Sequence, residues 1–162
     1  MEKVIVIGCP GSGKSTFARA LAEKTGLPLH YLDLLHHRPD RSTAAREEFD
    51  AALAGILEGA RWIIDGNYLR SMPRRLEACD TVFWLDYPTD VCLSGVRRRF
   101  GKPRPDMPWA ETEEDAEFMD FIRHFRQDSR PLIQAELARH PEKHIHIFTR
   151  RAEADAYLAS RG

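Results

Sequence analysis

Eight residues near the N-terminus, Gly8-Cys9-Pro10-Gly11-Ser12-Gly13-Lys14-Ser15, set a lysine and a hydroxyl at the end of a glycine-rich run, and Thr16 follows. The spacing is G-x-x-x-x-G-K-[ST]. Glycines so placed let backbone N–H groups turn inward on a phosphate. Lys14 would then reach the β- and γ-phosphates, and the hydroxyl of Ser15 would ligate Mg²⁺. Gly8, Pro10, Gly11, Ser12, Gly13, Lys14, Ser15 and Thr16 are therefore the expected nucleotide-binding residues.

Three aspartates stand where strands are expected to end. Asp65 follows Trp62-Ile63-Ile64, the usual place for a carboxylate that orients Mg²⁺ or its water. Asp33 could position or deprotonate an acceptor hydroxyl, or hold the metal from the other side, or it could form a turn. Asp86 precedes Tyr87-Pro88, a setting that favours a structural turn. The arginines are grouped as well. Arg97, Arg98 and Arg99 lead into Gly101–Pro108, a loop with three prolines that also holds Lys102 and Arg104. A mobile loop that brings arginines over the γ-phosphate suits phosphoryl transfer, which consists mostly of positioning and charge stabilisation. Arg99, Arg104, Arg123 and Arg126 are the candidates, with Lys14 and Asp33 beside them as catalytic groups. His36 and His37, near Asp33 and Asp40, suggest a metal site, but adjacent residues on a regular element seldom converge on one ion. Cys9, beside a helix N-terminus, is expected to be reactive.

The elements that must position these groups alternate along the chain. Val4–Ile7 reads as a buried parallel strand, followed by a helix from about Lys14 to Lys24 that stops at Gly26. Leu27–Leu32 reads as the second strand, with Asp33 at its end, and Thr43–Leu57 as a helix. Trp62–Ile64, a short helix over Arg74–Cys79, and the strand Thr81–Leu85 come next, then a helix through Val91 and Val96. After the proline-rich loop come the acidic residues Glu111, Glu113, Glu114 and Asp115. Phe118, Phe121, Ile122 and Phe125 then form an apolar helix stripe, beside a second stripe of Arg123, Arg126 and Arg130. Pro131 should break that helix. His144–Phe148 closes the set of strands and Ala152–Leu158 the set of helices. Alternating strands and helices predict an α/β fold with a parallel sheet.

At 162 residues, 43% apolar and 30% charged, the chain has the balance of one soluble domain. A net charge of −1 gives no general reason to expect a nucleic-acid or membrane partner. No apolar run approaches membrane-span length, and the N-terminus enters a strand at once, so a cytoplasmic protein is expected. Three cysteines without C-x-x-C spacing make disulfides and zinc unexpected.

The order of parts resembles the small P-loop kinases of the adenylate and shikimate kinase type. It is most similar to the adenylate kinase-like proteins known as DNA topology modulation proteins. The matching pieces are the phosphate loop, Leu32-Asp33, Ile64-Asp65-Gly66-Asn67-Tyr68, Leu85-Asp86-Tyr87-Pro88, Gly101–Met107, Arg130-Pro131 and Phe148-Thr149-Arg150-Arg151. The resemblance implies a three-layer P-loop NTPase fold with a five-stranded parallel sheet ordered 2-3-1-4-5. It also implies an acceptor-binding segment over about 33–60, a lid over about 100–115, ATP and Mg²⁺ as cofactors, and Arg150 among the nucleotide-binding residues. Arg99 matches an arginine that such kinases hold near the γ-phosphate. Three departures stand out. Adenylate kinases carry Asp-Gly-Phe-Pro-Arg where this chain has Asp65-Gly66-Asn67-Tyr68-Leu69, which leaves Arg70 and Arg75 to replace the missing arginine. Gly95 stands where an arginine often stacks on adenine, and His36 and His37 stand where aromatic residues are common.

The expected function is ATP-dependent phosphoryl transfer to a small nucleotide- or nucleoside-like acceptor. The alternative is a nucleic-acid-associated regulator or a nucleotide-dependent switch with weak ATPase activity.

Overall fold

The computed structural model describes residues 1–110 and 115–161. Glu111, Glu113 and Glu114 of the expected lid lie outside the described residues. Strands β1 (Lys3–Gly8), β2 (Leu29–Tyr31), β3 (Trp62–Asp65), β4 (Thr81–Leu85) and β5 (His144–Phe148) form one parallel sheet in the order β2-β3-β1-β4-β5. The connecting helices are α1 (Lys14–Thr25), α2 (Leu32–His36), α3 (Arg46–Leu57), α4 (Met72–Ala78) and α5 (Thr89–Arg99). Helices α6 (Ala116–Asp128), α7 (Arg130–Ala138) and α8 (Arg151–Ser160) complete the chain.

The apolar runs account for the sheet's centre. Val4, Ile5, Val6 and Ile7 of β1 expose nothing, nor do Ile63, Ile64, Val82 and Phe83 on the flanking strands. A parallel strand covered on both faces needs such a run. Register then aligns the functional ends, with Val6 opposite Asp65 and Gly8 opposite Leu85. Ligands of open α/β sheets bind at this edge.

Three expectations are corrected. Strand β2 is shorter than Leu27–Leu32, and Asp33 lies in the first turn of α2 rather than at a strand end. Fully buried Leu32 packs under Gly66, and the turn closes with a bond from the His37 N–H to the Asp33 carbonyl at 2.8 Å. The stripe on α6 is formed by Met119, Ile122 and Phe125, while Phe121 is 46% exposed. Pro131 does end α6, yet a new helix starts there, because proline is tolerated in a helix's first turn.

Helix α5 lies unusually close to the phosphate loop. A methyl group on Gly95 would fall 2.0 Å from the Gly11 carbonyl oxygen, and one on Gly11 would fall 2.0 Å from the Cys92 carbonyl oxygen. Both obstacles are backbone, so neither can swing aside. Gly95→Ala is expected to lower stability by about 1–3 kcal/mol, the range of overpacked cores. The shift in urea midpoint measures it. A variant as stable as the parent would show that α5 can slide away without loss.

Candidate functional site

The loop between β1 and α1 holds its shape through two left-handed glycines, Gly11 at φ 85° and Gly13 at φ 88°. The Ser12 N–H donates to the Cys9 carbonyl at 3.0 Å, and the Phe17 N–H donates to the Gly13 carbonyl at 2.9 Å, opening α1. A helix N-terminus behind inward-turned amides is an anion site. Above it lies a cavity of about 340 Å³. Lys14, Arg19, Arg98, Arg99, Lys102, Arg104 and Arg151 line it, with Asp106 as the single carboxylate among its described lining residues. In a chain of net charge −1, this concentration of cations selects a highly charged anion.

The loop after β3 ties the site together, one residue at a time. Asp65 accepts the Ser15 hydroxyl at 2.5 Å through Oδ2, while its Oδ1 is buried without a hydrogen-bond partner among the described residues. Burial pushes this carboxyl up to about 6, against the pull of Lys14 and the Ser15 bond. Gly66 has φ 144° and no room for a side chain beside Leu32. Asn67 donates to the Gly8 carbonyl at 2.7 Å and accepts the Gly8 N–H at 3.0 Å, pinning the start of the phosphate loop. Tyr68 donates its hydroxyl to Asp33 at 2.6 Å; burial and that carboxylate hold the phenol protonated.

Arg75 sits behind this loop, fully buried. It donates to the carbonyls of Gly66 at 3.0 Å, Tyr68 at 3.3 Å and Asn67, and to the Ser71 hydroxyl at 3.1 Å. Burial lowers its guanidinium to about 10, so it is still charged at neutral pH. Arg75 therefore cannot grip an acceptor. Arg70 is also engaged, in a two-pronged pair with Asp50 at 3.0 and 2.8 Å.

A second cavity, of about 290 Å³, opens on the other side of Lys14. Asp33, His36, His37, Asn67, Tyr68, Phe118 and Phe121 are among its lining. Burial, and secondarily His37, hold His36 below its ordinary range, so it meets the cavity as a neutral ring. Four residues line both cavities: Lys14, Arg99, Arg104 and Asp106.

The other predicted site residues have different surroundings. Arg123 pairs with Asp120 at 2.7 Å on the exposed face of α6. Arg126 pairs with Asp86 at 3.3 Å, and Arg130 joins the same carboxylate at 3.0 Å. Neither Arg123 nor Arg126 is among the residues lining the two cavities. Arg150 precedes α8, with its N–H bonded to Glu153 at 3.0 Å, and it is the next residue, Arg151, that reaches the anion cavity beside Gly13. Cys9 is corrected: its hydrogen bond with Cys92, and burial, raise its thiol rather than lower it. Asp40 spends its carboxylate on Ser42. Among the described residues, no group of three or more histidine, cysteine or carboxylate side chains gathers around an ion.

Ser15 with Asp65 nonetheless fits a hard cation completed by phosphate oxygens. The buried, unpartnered oxygen of Asp65 is the observation that favours it. Sequence reasoning did not single out Asp106, Asn67 or Arg151. Asp106 had a signal in the Arg104-Pro105-Asp106-Met107 piece, and Arg151 adjoins the arginine that was chosen.

Sheet order, phosphate loop and flanking helices together define the fold of the P-loop kinases. Shikimate kinase from Acinetobacter baumannii, solved in complex with shikimate, is similar at a TM-score of 0.68 and 18% identity, covering 99% of this chain and 90% of that one. Shikimate kinase from Bacteroides thetaiotaomicron is similar at 0.62 and 19%, covering 97% and 94%. A sugar kinase from Janibacter sp. HTCC2649 is similar at 0.52 and 19%, covering 97% and 90%. These likenesses show the fold. No family model matches the chain, and no curated protein does. No helix among the described residues is long and apolar enough to cross a membrane.

Arg75→Met removes the donors of three loop carbonyls while keeping an unbranched side chain. With an unmade buried bond costing about 1–3 kcal/mol each, the expected loss of stability is at least about 3 kcal/mol. Chemical unfolding would measure it. An unchanged midpoint would mean that water takes over these carbonyls.

Proposed function

We propose that this protein is a P-loop kinase that transfers the γ-phosphoryl group of ATP, as its magnesium complex, to a hydroxyl of a small nucleotide- or nucleoside-like acceptor. The supporting observation is the pair of cavities that meet at Lys14, Arg99, Arg104 and Asp106. One is lined with cations, as a triphosphate requires. The other offers a carboxylate beside aromatic and imidazole rings, as a planar hydroxylated acceptor requires.

In this reading the loop amides and Lys14 hold the β- and γ-phosphates. Ser15 and Asp65 would hold Mg²⁺, which supplies charge neutralisation between the phosphates. Asp33, oriented by Tyr68, receives the acceptor's hydroxyl proton. Arg99 and Arg104 stand between donor and acceptor, where charge grows in the transition state. Arg151 supports the donor side. Arg123 and Arg126, engaged with Asp120 and Asp86, take no part. The acceptor segment spans about 33–60 and the lid about 100–115, within one domain.

The deciding experiment offers ATP and Mg²⁺ with a panel of nucleosides, nucleotides, sugars and hydroxylated acids, shikimate included. A phosphorylated product from a ring-bearing hydroxyl compound is expected. Hydrolysis with no phosphorylated product would favour the switch reading instead.

Lys14→Ala is expected to abolish turnover in a folded protein. Arg99→Ala should lower kcat by about 10²–10³, the loss of one preorganised donor, with a smaller effect on ATP binding. Asp33→Asn should lower kcat by about 10²–10⁴ without weakening ATP binding. Steady-state kinetics with calorimetric ATP binding separates these cases. If Asp33→Asn turned over at the parental rate, the general-base assignment would fall.

A further inference from the structure

Asp106 is an anomaly in its loop. Gly101, Lys102, Pro103 and Pro105 around it are exposed, yet Asp106 is only 4% exposed. A carboxylate withdrawn from water needs strong partners, and those among the described residues are long contacts. Arg104 stands at 3.6 Å, beyond hydrogen-bond distance, and the Ser15 hydroxyl approaches Oδ2 at 3.4 Å. That hydroxyl is already committed to Asp65 at 2.5 Å. Two buried carboxylates, one from β3 and one from the lid, thus converge on a single hydroxyl. The Asp65 Oδ1 beside them is buried and has no hydrogen-bond partner among the described residues.

We propose that Asp106 is the lid's own ligand for the divalent cation, joining Ser15 and Asp65 around the metal–nucleotide complex. The inference rests on the kinase reading above. A hard cation bound by one or two carboxylates and completed by substrate phosphates matches this donor set. It would also remove the repulsion between the two carboxylates. Asp106 lines both cavities, so a lid held by the cation is drawn down where donor and acceptor meet. Lid closure then depends on the metal and not on the nucleotide alone.

The lid carries its own reporter. Trp109 lies three residues beyond Asp106, with its ring 5.5 Å from His37 and the Arg41 guanidinium 4.9 Å above it. The other two tryptophans, Trp62 and Trp84, are each 1% exposed in the sheet and give a constant background.

The test uses the full chain, ADP and Mn²⁺, with Mn²⁺ binding followed by electron paramagnetic resonance and lid position by Trp109 fluorescence. Asp106→Asn keeps the side chain's shape, and Asp106→Glu keeps its charge. In Asp106→Asn, Mn²⁺ affinity in the presence of ADP is expected to fall by about 10–100-fold. Metal-free ADP affinity should not fall, because a negative charge leaves the anion cavity, and the metal-dependent part of the Trp109 response should be lost. Asp106→Glu should recover part of both. Parental Mn²⁺ affinity and Trp109 response in Asp106→Asn would overturn the proposal. So would weaker metal-free ADP binding with unaltered Mn²⁺ affinity, which would make Asp106 only a prop for Arg104. If the parent protein bound neither ADP nor its Mn²⁺ complex, the kinase reading itself would fall, and this inference with it.

Discussion

The buried guanidinium of Arg75 is the constraint on which the site depends. The loop from Asp65 to Tyr68 turns the carbonyls of Gly66, Asn67 and Tyr68 toward this side chain. One cation bonds to three of these carbonyls and to the Ser71 hydroxyl. A loop so held can direct three side chains at once: Asp65 to Ser15, Asn67 to Gly8 and Tyr68 to Asp33. The phosphate loop and the Asp33 carboxylate are thereby joined to one turn. Positioning of this kind contributes most to phosphoryl transfer, where the protein does little covalent chemistry.

Two further groups of cations shape the molecule. Arg126 and Arg130 converge on Asp86, tying α6 and α7 to the end of β4. These partly exposed pairs fix a packing angle more than they add stability. The second group surrounds the anion cavity, where among the described lining residues one carboxylate stands with seven cationic side chains. A chain that is nearly neutral overall can therefore present a strongly positive field at one edge of its sheet.

Helix α5 adds a steric constraint. Its approach to the phosphate loop leaves no space for a β-carbon at Gly95. Only glycine fits there without a shift of the backbone.

Much of this was legible in the chain itself. The apolar β-branched run before Gly8 and the glycine spacing after it are local signals, and both the sheet and the phosphate loop formed as read. Asp65 follows its strand directly, so its place was legible as well. Asp33 stands in the first turn of α2 instead of at a strand end, beside buried Leu32, which packs against Gly66, a contact between segments far apart in sequence. The arginines were the least legible. A guanidinium at the end of a long flexible stem serves whichever carboxylate, carbonyl or cavity the fold brings within reach. Arg75 went to loop carbonyls, Arg126 to Asp86 and Arg151 to the anion cavity, and no spacing rule distinguishes these ends. Local backbone chemistry is determined by neighbouring residues and can be read from the sequence alone. The partners of long charged side chains are decided only when the sheet brings its strand ends to one edge.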